Sequence, residues 1–502
     1  MVLAARAFRY WCWPDLAACC AALGLALATK HSAPVIAILL SIVGVILLFV
    51  VPLAQPSDTR SRRFLKLGLV FLGAFVILWS FYRFRFTESP VHQEVFNRPL
   101  AEKIADLHSP FRRFVLTKIA VSHLLPRPYI WGLADTIRGG IEGRLETRLF
   151  YGRLYYGNPP KYFFPGILAA KLPLGFSFLI LLGLFLFLAR RLPSDWNIPI
   201  LVVLFVSLGF FLVLANGATY GGMRHALPVA LLLSIFGGFS VHAALSTDFK
   251  LLRWAVPAGF LAAAASALPV LRPYEYYNEL VAMEKAALYF NDEGLEAEQR
   301  GKELLRYYFE NLKPIGEVPY LLYDIPELAG RVRGLDWVGR DPERDSARFN
   351  TRIASGTIFV GGRYLGPRPF WDSAALRNAK PVARFGNLLV YHGTFDLPGG
   401  LAHARYWDGL TKIYTKKPDL ATAEQLLRQS AQLDPAQFFV HIEIGNLCLN
   451  RASREEALRA YNDALNYAPD LPFFRQPIRD QIHRVSTETL SQIPPLRNPE
   501  LE

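Results

Sequence analysis

Long apolar stretches alternate with short polar connections through the first half of the chain. Most of these stretches reach the roughly 20 residues that a helix needs to cross about 30 Å of hydrocarbon. The pattern predicts an α-helical polytopic membrane domain over residues 1–271, with about seven spans and one long external loop at 83–163. The predicted spans lie near residues 8–29, 34–54, 65–82, 166–189, 197–215, 226–245 and 254–271.

Lys and Arg are distributed unevenly between the two sets of alternate short connections. One set holds only Lys30 and Arg224, and the other holds Arg6, Arg9, Arg60, Arg62, Arg63, Lys66, Arg190, Arg191, Lys250 and Arg253. The richer side is cytoplasmic by the positive-inside rule. We therefore predict a multi-pass protein of the inner (cytoplasmic) membrane, with a cytoplasmic N-terminus and periplasmic C-terminal domains. Residues 1–29 also have the features of a secretory signal peptide, and that alternative leaves the remaining topology unchanged.

After residue 271 the composition turns polar, and no further stretch is apolar and long enough to span a membrane. Residues 284–312 have apolar positions at helical spacing and are predicted to be helical. Three short runs at 318–323, 357–360 and 387–391 are typical of strands, because Gly and Pro bound them. The pattern predicts a small exported α/β domain over residues 272–403.

The tail of the chain contains an internal repeat with a period of 34 residues. Its first copy is residues 404–437 and its second copy is residues 438–471. The landmarks of the first copy are Trp407, Leu410, Tyr414, Ala423, Leu427 and Pro435, and those of the second are His441, Ile444, Gly445, Cys448, Ala457, Tyr461 and Pro469. This pattern resembles the tetratricopeptide repeat, a pair of helices with small residues where they cross. With a capping helix over 472–492, it predicts a C-terminal α-helical tetratricopeptide module at 404–492. The resemblance implies a surface that contacts a protein or peptide partner, or a module that only packs against its neighbour.

Composition and charge narrow the class of partner. Of the 502 residues, 52% are apolar, which is too many for a wholly soluble protein, and the net charge is +13. This basic excess favours anionic partners such as phosphate-bearing lipid. Nucleic acid is disfavoured because the basic external loop is predicted to face away from the cytoplasm. The cysteines do not form a disulfide framework, since Cys12, Cys19 and Cys20 share one apolar stretch and only Cys448 lies elsewhere.

Cations from three predicted helices meet the exported face of the membrane. Lys30 ends the first span, Lys171 begins the fourth, and Arg224 and His225 begin the sixth. Ionisable groups at membrane depth are costly, which makes them candidates for function. The alternative is snorkelling, in which each side chain reaches the headgroups and fixes a helix end. For the set together, we predict a phosphate site. The 83–163 loop adds an interfacial segment in which aromatic residues alternate with Arg.

Five strings of residues carry a family resemblance. They are Gly24–Lys30, Leu125–Leu133, Tyr162–Leu174, Arg224–Pro228 and Tyr276–Leu280, and their order and spacing resemble those of bacterial membrane glycosyltransferases. The group is the GT-C superfamily, in the branch that resembles dolichyl-phosphate-mannose protein mannosyltransferases, and the similarity covers roughly residues 8–390. It implies transfer of a sugar from a polyprenyl-phosphate donor to an acceptor on the periplasmic side. It also implies donor-phosphate contacts from Lys171, Arg224, His225 and Lys30, and a loop over the cavity with Tyr129, Trp131, Arg153 and Tyr156.

The chain departs from this family where the catalytic acids are concerned. Family members carry those acids in the first external loop, several helices before the string that here begins at Gly24. The expectation is therefore a C-terminal portion of a transferase, which lacks the catalytic acidic loop and is inactive alone. Asp135, Glu142 and Glu146 lie among Arg residues and are predicted to be ion-paired, and Asp15 lies within an apolar span.

No catalytic residue is assigned, and no Cys/His set has the spacing of a zinc site. The resemblance alone allows a divalent metal. The alternative function is a non-enzymatic, membrane-anchored tetratricopeptide scaffold for protein–protein interaction.

Overall fold

The computed structural model of the chain describes residues 2–52, 59–89, 91, 96–143, 147–156, 160–193, 196–218, 221–246, 250–270, 273–281, 283–290, 299–323, 325, 330, 332–335, 351–366 and 374–498. The chain divides into two compact units. The first unit contains residues 1–144, 157–271 and 277–280, and the second contains 145–156, 272–276 and 281–502.

Twelve helices are described in the first unit. They are α1 (Val2–Tyr10), α2 (Trp13–Thr29), α3 (Ala33–Val50), α4 (Arg60–Phe81), α5 (Leu100–Ala105), α6 (Pro110–Val121), α7 (Arg127–Ile137), α8 (Phe163–Lys171), α9 (Leu174–Leu188), α10 (Asn197–Ala215), α11 (Met223–Ser246) and α12 (Lys250–Ala267). Helices α1 to α4 share one apolar core with α10. Helix α9 packs against α11 and α12.

Four of the described helices, α3, α4, α10 and α11, are long and apolar enough to cross a membrane. Helices α8 and α9 qualify together as a fifth, although their axes differ by 115°. Many large apolar side chains on these helices are exposed, as expected for helices that face lipid rather than a protein core. The structure thus supports a helical membrane protein, whereas the count of seven spans stays a prediction.

The first predicted span, 8–29, is wrong as a single helix. The chain breaks at Trp11, which has a left-handed backbone (φ 52°), and α2 begins at Trp13. Pro14 lies in the first turn of α2, where its missing N–H costs nothing, whereas in the interior of a longer helix it would remove a hydrogen bond and disfavour a straight course. The break brings Arg6 of α1 to 3.1 Å from the carboxylate of Asp15 on α2.

The fourth predicted span, 166–189, is also wrong as a single straight helix. Pro173 disfavours the helical conformation for the residue before it, and Leu172 is extended (φ −84°, ψ 130°). Helix α8 therefore ends at Lys171 and α9 starts in a different direction at Leu174.

Much of the 83–163 loop is ordered into helices. Helices α5, α6 and α7 share a small apolar core, and a π-helical turn extends α7 through Arg138–Glu142. The strands β1 (Thr147–Phe150) and β2 (Arg153–Tyr156) form a hairpin that belongs to the second unit. Its turn residues Tyr151 and Gly152 both have positive φ, as a tight two-residue hairpin turn requires.

The second unit contains a four-stranded sheet in the order β3-β4-β6-β5. The strands are β3 (Tyr320–Leu322), β4 (Ile353–Gly361), β5 (Ala383–Phe385) and β6 (Leu388–Asp396), and only β3 is parallel to its neighbour. Strands β3, β4 and β6 lie at the three runs that the sequence indicated, and β5 was not predicted. Apolar clusters cover both faces of the sheet.

The helix predicted over 284–312 is wrong as one element. The described residues form α13 (Ala286–Tyr289) and α14 (Gly301–Tyr307), which a π-helical turn extends to Leu312. Residues 291–298 lie outside the described part of the chain. One further short helix, α15 (Ala374–Asn378), precedes β5.

Five helices form the tail of the second unit. They are α16 (Pro398–Ile413), α17 (Leu420–Leu433), α18 (Phe438–Asn450), α19 (Arg454–Tyr467) and α20 (Pro472–Thr487), and each packs against the next around one apolar core.

Most of the repeat landmarks are buried where helices of this tail pack together. Ala423 and Ala457 are completely buried on α17 and α19. A Cβ at Gly445 would lie 2.6 Å from the Tyr461 ring, so a small residue is required at this crossing. Leu410 is buried and Trp407 is partly buried. Pro435 and Pro469 follow the ends of α17 and α19. Tyr414 is exposed. The tail is a stack of helical hairpins, and its membership of the tetratricopeptide family stays a prediction.

Candidate functional site

Three of the four predicted phosphate ligands influence one another electrostatically in the first unit. Lys30 follows α2, and Arg224 and His225 occupy the first turn of α11. Arg224 Nε donates a hydrogen bond to His225 Nε2 (3.3 Å), and the charge of Lys30 adds to the positive potential at His225. Lys30, Arg224 and His225 are called the cation cluster below.

The glycine pair before α11 shapes this cluster. The His225 ring folds back against Gly221, where a Cβ atom would collide with Nε2. Gly222 has φ 64°, a conformation that favours glycine. The turn therefore holds the imidazole beside Arg224.

Lys171, the fourth predicted ligand, lies at the break between α8 and α9. It is only 7% exposed, and its Nζ is 3.7 Å from the centre of the Tyr277 ring, a close cation–π contact. Helix α8 packs against α11, which carries Arg224 and His225 in its first turn.

Two sequence strings that are about 100 residues apart form one structure at this break. The Asn278 side chain donates hydrogen bonds to the carbonyl oxygens of Ala169 and Leu172, and its backbone N–H donates to Ala170. The backbone N–H of Leu174 donates to Glu279 Oε2 (3.1 Å). These bonds satisfy the backbone groups that the break exposes, which is a condition for irregular backbone at membrane depth.

A group of rings adjoins the cation cluster through His31, which follows Lys30. The centroid of the His31 ring is 4.8 Å from that of Tyr129 on α7, and Tyr82 contacts Tyr129 edge to face at 6.3 Å. Gly132, one turn along α7, leaves room for the imidazole, because a Cβ there would collide with it. Burial raises the pKa of Tyr129 to about 12 and lowers that of His31, so both side chains are neutral near pH 7.

Two polar atoms in this group lack a partner. Tyr129 is 2% exposed, and neither its hydroxyl nor His31 Nε2 forms a hydrogen bond within the described part of the chain. Buried polar atoms are almost always paired in folded proteins, so two such atoms close together indicate a place for a polar ligand or water. Sequence reasoning identified Tyr129, but it gave no signal that His31 would lie against it.

The acidic residues of the external loop are ion-paired, as the sequence indicated. Asp135 Oδ1 forms an ion pair with Lys103 Nζ (2.7 Å), and the same ammonium group lies over the Trp131 ring. Glu142 accepts Arg112 Nη1 at 3.0 Å and the backbone N–H groups of His108 and Ser109. Glu146 lies outside the described residues. Trp131 thus stabilises the loop through Lys103 and donates its Nε1–H to the carbonyl oxygen of Arg98.

The remaining two predicted cavity residues belong to the second unit. Arg153 and Tyr156 are on β2, which belongs to the second unit. The structure therefore places Tyr129 and Trp131, but not Arg153 and Tyr156, in the same unit as the cation cluster.

Within the described residues, one group of side chains has the spacing of a metal site, and it lies in the helical tail. Glu424, Cys448 and Glu456 are close enough to share an ion. Arg428 and Arg451 each pair with both carboxylates at 2.7–3.1 Å, so the negative charge is already compensated. The arrangement is an ion-pair network that joins α17 to α19.

No protein-family model matches this chain, and comparisons with curated proteins and with solved structures give no match.

Proposed function

We propose that the first unit binds a polyprenyl-phosphate-linked sugar and belongs to a membrane glycosyltransferase of the GT-C type. The observation that carries the proposal is the contact of Arg224 with His225 beside the Gly221–Gly222 turn, to which Lys30, from the other end of the unit's sequence, adds positive potential. Phosphate is recognised by cations and by fixed hydrogen-bond donors, and Arg is the side chain best suited to both tasks.

The neighbouring groups suit the rest of such a ligand. The hydroxyl of Tyr129 and His31 Nε2 are unpaired polar atoms next to the cluster, and sugar hydroxyls are their natural partners. Lys171 adds a buried cation at the α8–α9 break. In a transfer reaction the lipid phosphate is the leaving group, and these cations would stabilise the charge that develops on it.

The finer topology belongs to the same proposal. We place α2, the broken pair α8–α9, and α12 in the membrane beside α3, α4, α10 and α11, which gives seven spans. The distribution of Lys and Arg supports a cytoplasmic N-terminus and a periplasmic second unit. On this topology the cation cluster lies at the periplasmic face, where the sugar would be transferred.

A second candidate function is a membrane-anchored scaffold whose tetratricopeptide-like tail binds proteins. Its support is a groove of about 750 Å³ between α17 and α19. Charged side chains, among them Arg428, Arg454 and Asp463, line this groove. Such a lining suits a polar protein surface rather than a lipid.

Binding of a polyprenyl phosphate to the purified protein in nanodiscs tests the first proposal. Charge-assisted hydrogen bonds contribute about 1.5–3 kcal/mol each, so the double variant Arg224→Ala/His225→Ala should bind at least about tenfold more weakly. Arg191→Ala removes an exposed cation outside the cluster and serves as the matched control. The corresponding polyprenol, which lacks the phosphate, should bind equally to all three proteins. Equal phosphate affinity of the double variant and the parent contradicts the site and leaves the scaffold function.

A further inference from the structure

The last described residues of the chain, 493–498, run without helix or strand across the inner side of the helical tail. Asn446 on α18 binds the backbone of Leu496 twice: its Nδ2 donates to the carbonyl oxygen (2.9 Å), and its Oδ1 accepts the N–H (2.8 Å). Gln481 Nε2 on α20 donates to the carbonyl oxygen of Pro494 (2.9 Å). These contacts hold an extended peptide by its main chain, so they place no demand on its side chains.

The Asn446 amide is itself held in place. Tyr461 donates its hydroxyl hydrogen to Asn446 Oδ1 (2.8 Å), and the tyrosine ring is completely buried against Gly445. The orientation that receives the peptide backbone is therefore built into the α18–α19 hairpin.

The side chain of Asn498 contacts the buried carboxylate of Glu443. Its Nδ2 donates to Glu443 Oε1 (2.7 Å) and to the hydroxyl oxygen of Tyr406 (2.9 Å). Glu443 is 2% exposed, and its carboxylate accepts hydrogen bonds from the neutral side-chain amides of Asn498 and Asn446. A buried carboxylate is costly when only neutral groups compensate it, so this position offers an ion pair to a Lys or Arg side chain of a bound peptide.

The segment also leaves part of its groove unfilled. A cavity of about 410 Å³ remains beside Pro494–Arg497, and the apolar side chains of Ile442, Phe474 and Ile478 line it. The groove can therefore take a bulkier apolar residue than the segment provides.

We propose that the groove formed by Tyr406, Glu443, Asn446 and Gln481 is a binding site for an extended, basic peptide of a partner protein. Residues 493–498 of the chain occupy this site until such a peptide displaces them. The proposal is independent of lipid binding by the first unit.

The test uses the full chain with a protease site inserted between Glu488 and Thr489, just beyond the end of α20. The probe is a fluorescent synthetic peptide with the sequence of residues 490–502, whose anisotropy is measured before and after cleavage. In the uncut chain the tethered segment competes at a high effective concentration. We therefore expect the cut chain to bind the probe at least about tenfold more tightly than the uncut chain.

Three variants of the cut chain separate the proposed contacts. Asn446→Ala should weaken binding at least about tenfold, whereas Asn462→Ala, an exposed asparagine on α19, should leave it unchanged. A probe that carries Arg at the position of Asn498 should bind more tightly than the native sequence, and Glu443→Gln should remove this gain. Equal binding to cut and uncut chains overturns the proposal. Loss of helical circular dichroism upon cleavage also overturns it, because the segment would then be an integral part of the fold.

Discussion

The Asn278 side chain donates a hydrogen bond to the carbonyl oxygen of Leu172 (2.8 Å), the residue that Pro173 forces out of the helix. The same amide bonds to the carbonyl of Ala169. Asn278 thereby caps the end of α8 from a distant part of the sequence. In an apolar environment no water replaces a lost partner, so the break depends on this residue.

Replacement of Asn278 should therefore destabilise the first unit. Asn278→Ala leaves two carbonyl groups without their donor, which costs about 1–3 kcal/mol for buried groups. Asn216→Ala is the matched control, because Asn216 is exposed and bonds only within its own helix, to Leu212. Thermal unfolding in nanodiscs measures the difference. A melting temperature for Asn278→Ala equal to that of the control contradicts the capping role.

The elements that the sequence predicted well are those encoded by local pattern. Strands at 320–322 and 388–396 follow from short apolar runs between turn residues, and the apolar helices follow from the length of their stretches. The cation cluster was predictable in part, because alternate connections of a helical membrane protein meet the same face.

The features that the sequence did not predict depend on tertiary contact. Nothing local marks Asn278 as a cap for α8, or places His31 against Tyr129 almost 100 residues later. The break at Trp11 was missed because hydropathy is insensitive to a left-handed residue inside an apolar stretch. Pro14 and Pro173 were the available signals for the two broken helices.

The contact between Lys171 and Tyr277 should be measurable as a coupling energy. Cation–π pairs contribute about 0.5–2 kcal/mol, the higher value when the cation is desolvated, as Lys171 is. A double-mutant cycle with Lys171→Met and Tyr277→Leu should therefore be non-additive. Tyr277→Phe keeps the aromatic face and should retain most of the coupling. Additive effects on unfolding free energy would show that the two side chains are energetically independent.

Glu142 should make the external loop sensitive to acid. Burial alone would raise its pKa, but hydrogen bonds from the backbone of His108 and Ser109 and from Arg112 hold the pKa below its usual value. A lowered folded pKa contributes stability above the unfolded pKa of about 4.3, and this stability is lost as the pH falls through the folded value. Glu142→Gln should therefore destabilise the protein at pH 7 by about 1–2 kcal/mol and by progressively less below about pH 4.

Glu102→Gln is the control for this prediction. The side chain of Glu102 is largely exposed, and its Oε2 forms a long ion pair with Arg98 Nε (3.8 Å). Exposed ion pairs contribute little, so Glu102→Gln should change the free energy of unfolding by less than about 0.5 kcal/mol. Denaturant unfolding between pH 7 and pH 3 gives both values. A Glu142→Gln effect that does not diminish at low pH would mean that the variant acts by packing rather than by charge.

Gly132 should be essential for the approach of His31 to α7. A Cβ at this position collides with the imidazole ring, which also packs against Tyr129 of the same helix. Overpacking of this kind costs about 1–3 kcal/mol, so Gly132→Ala should lower stability and displace His31 from Tyr129. Gly68 on α4 is also helical but has open space around its Cβ position. Gly68→Ala should therefore raise stability by up to about 1 kcal/mol through helix propensity alone.

The two substitutions are expected to change stability in opposite directions, although both replace a helical glycine by alanine. This difference in sign makes the test strict. Thermal unfolding gives the stabilities, and the chemical shifts of labelled His31 report its contact with the tyrosine ring. If Gly132→Ala also stabilises the protein, the imidazole does not lie against α7. The unpaired His31 Nε2 and Tyr129 hydroxyl would then not form one polar site beside Lys30, and the proposed binding of a lipid-linked sugar would lose those two contacts.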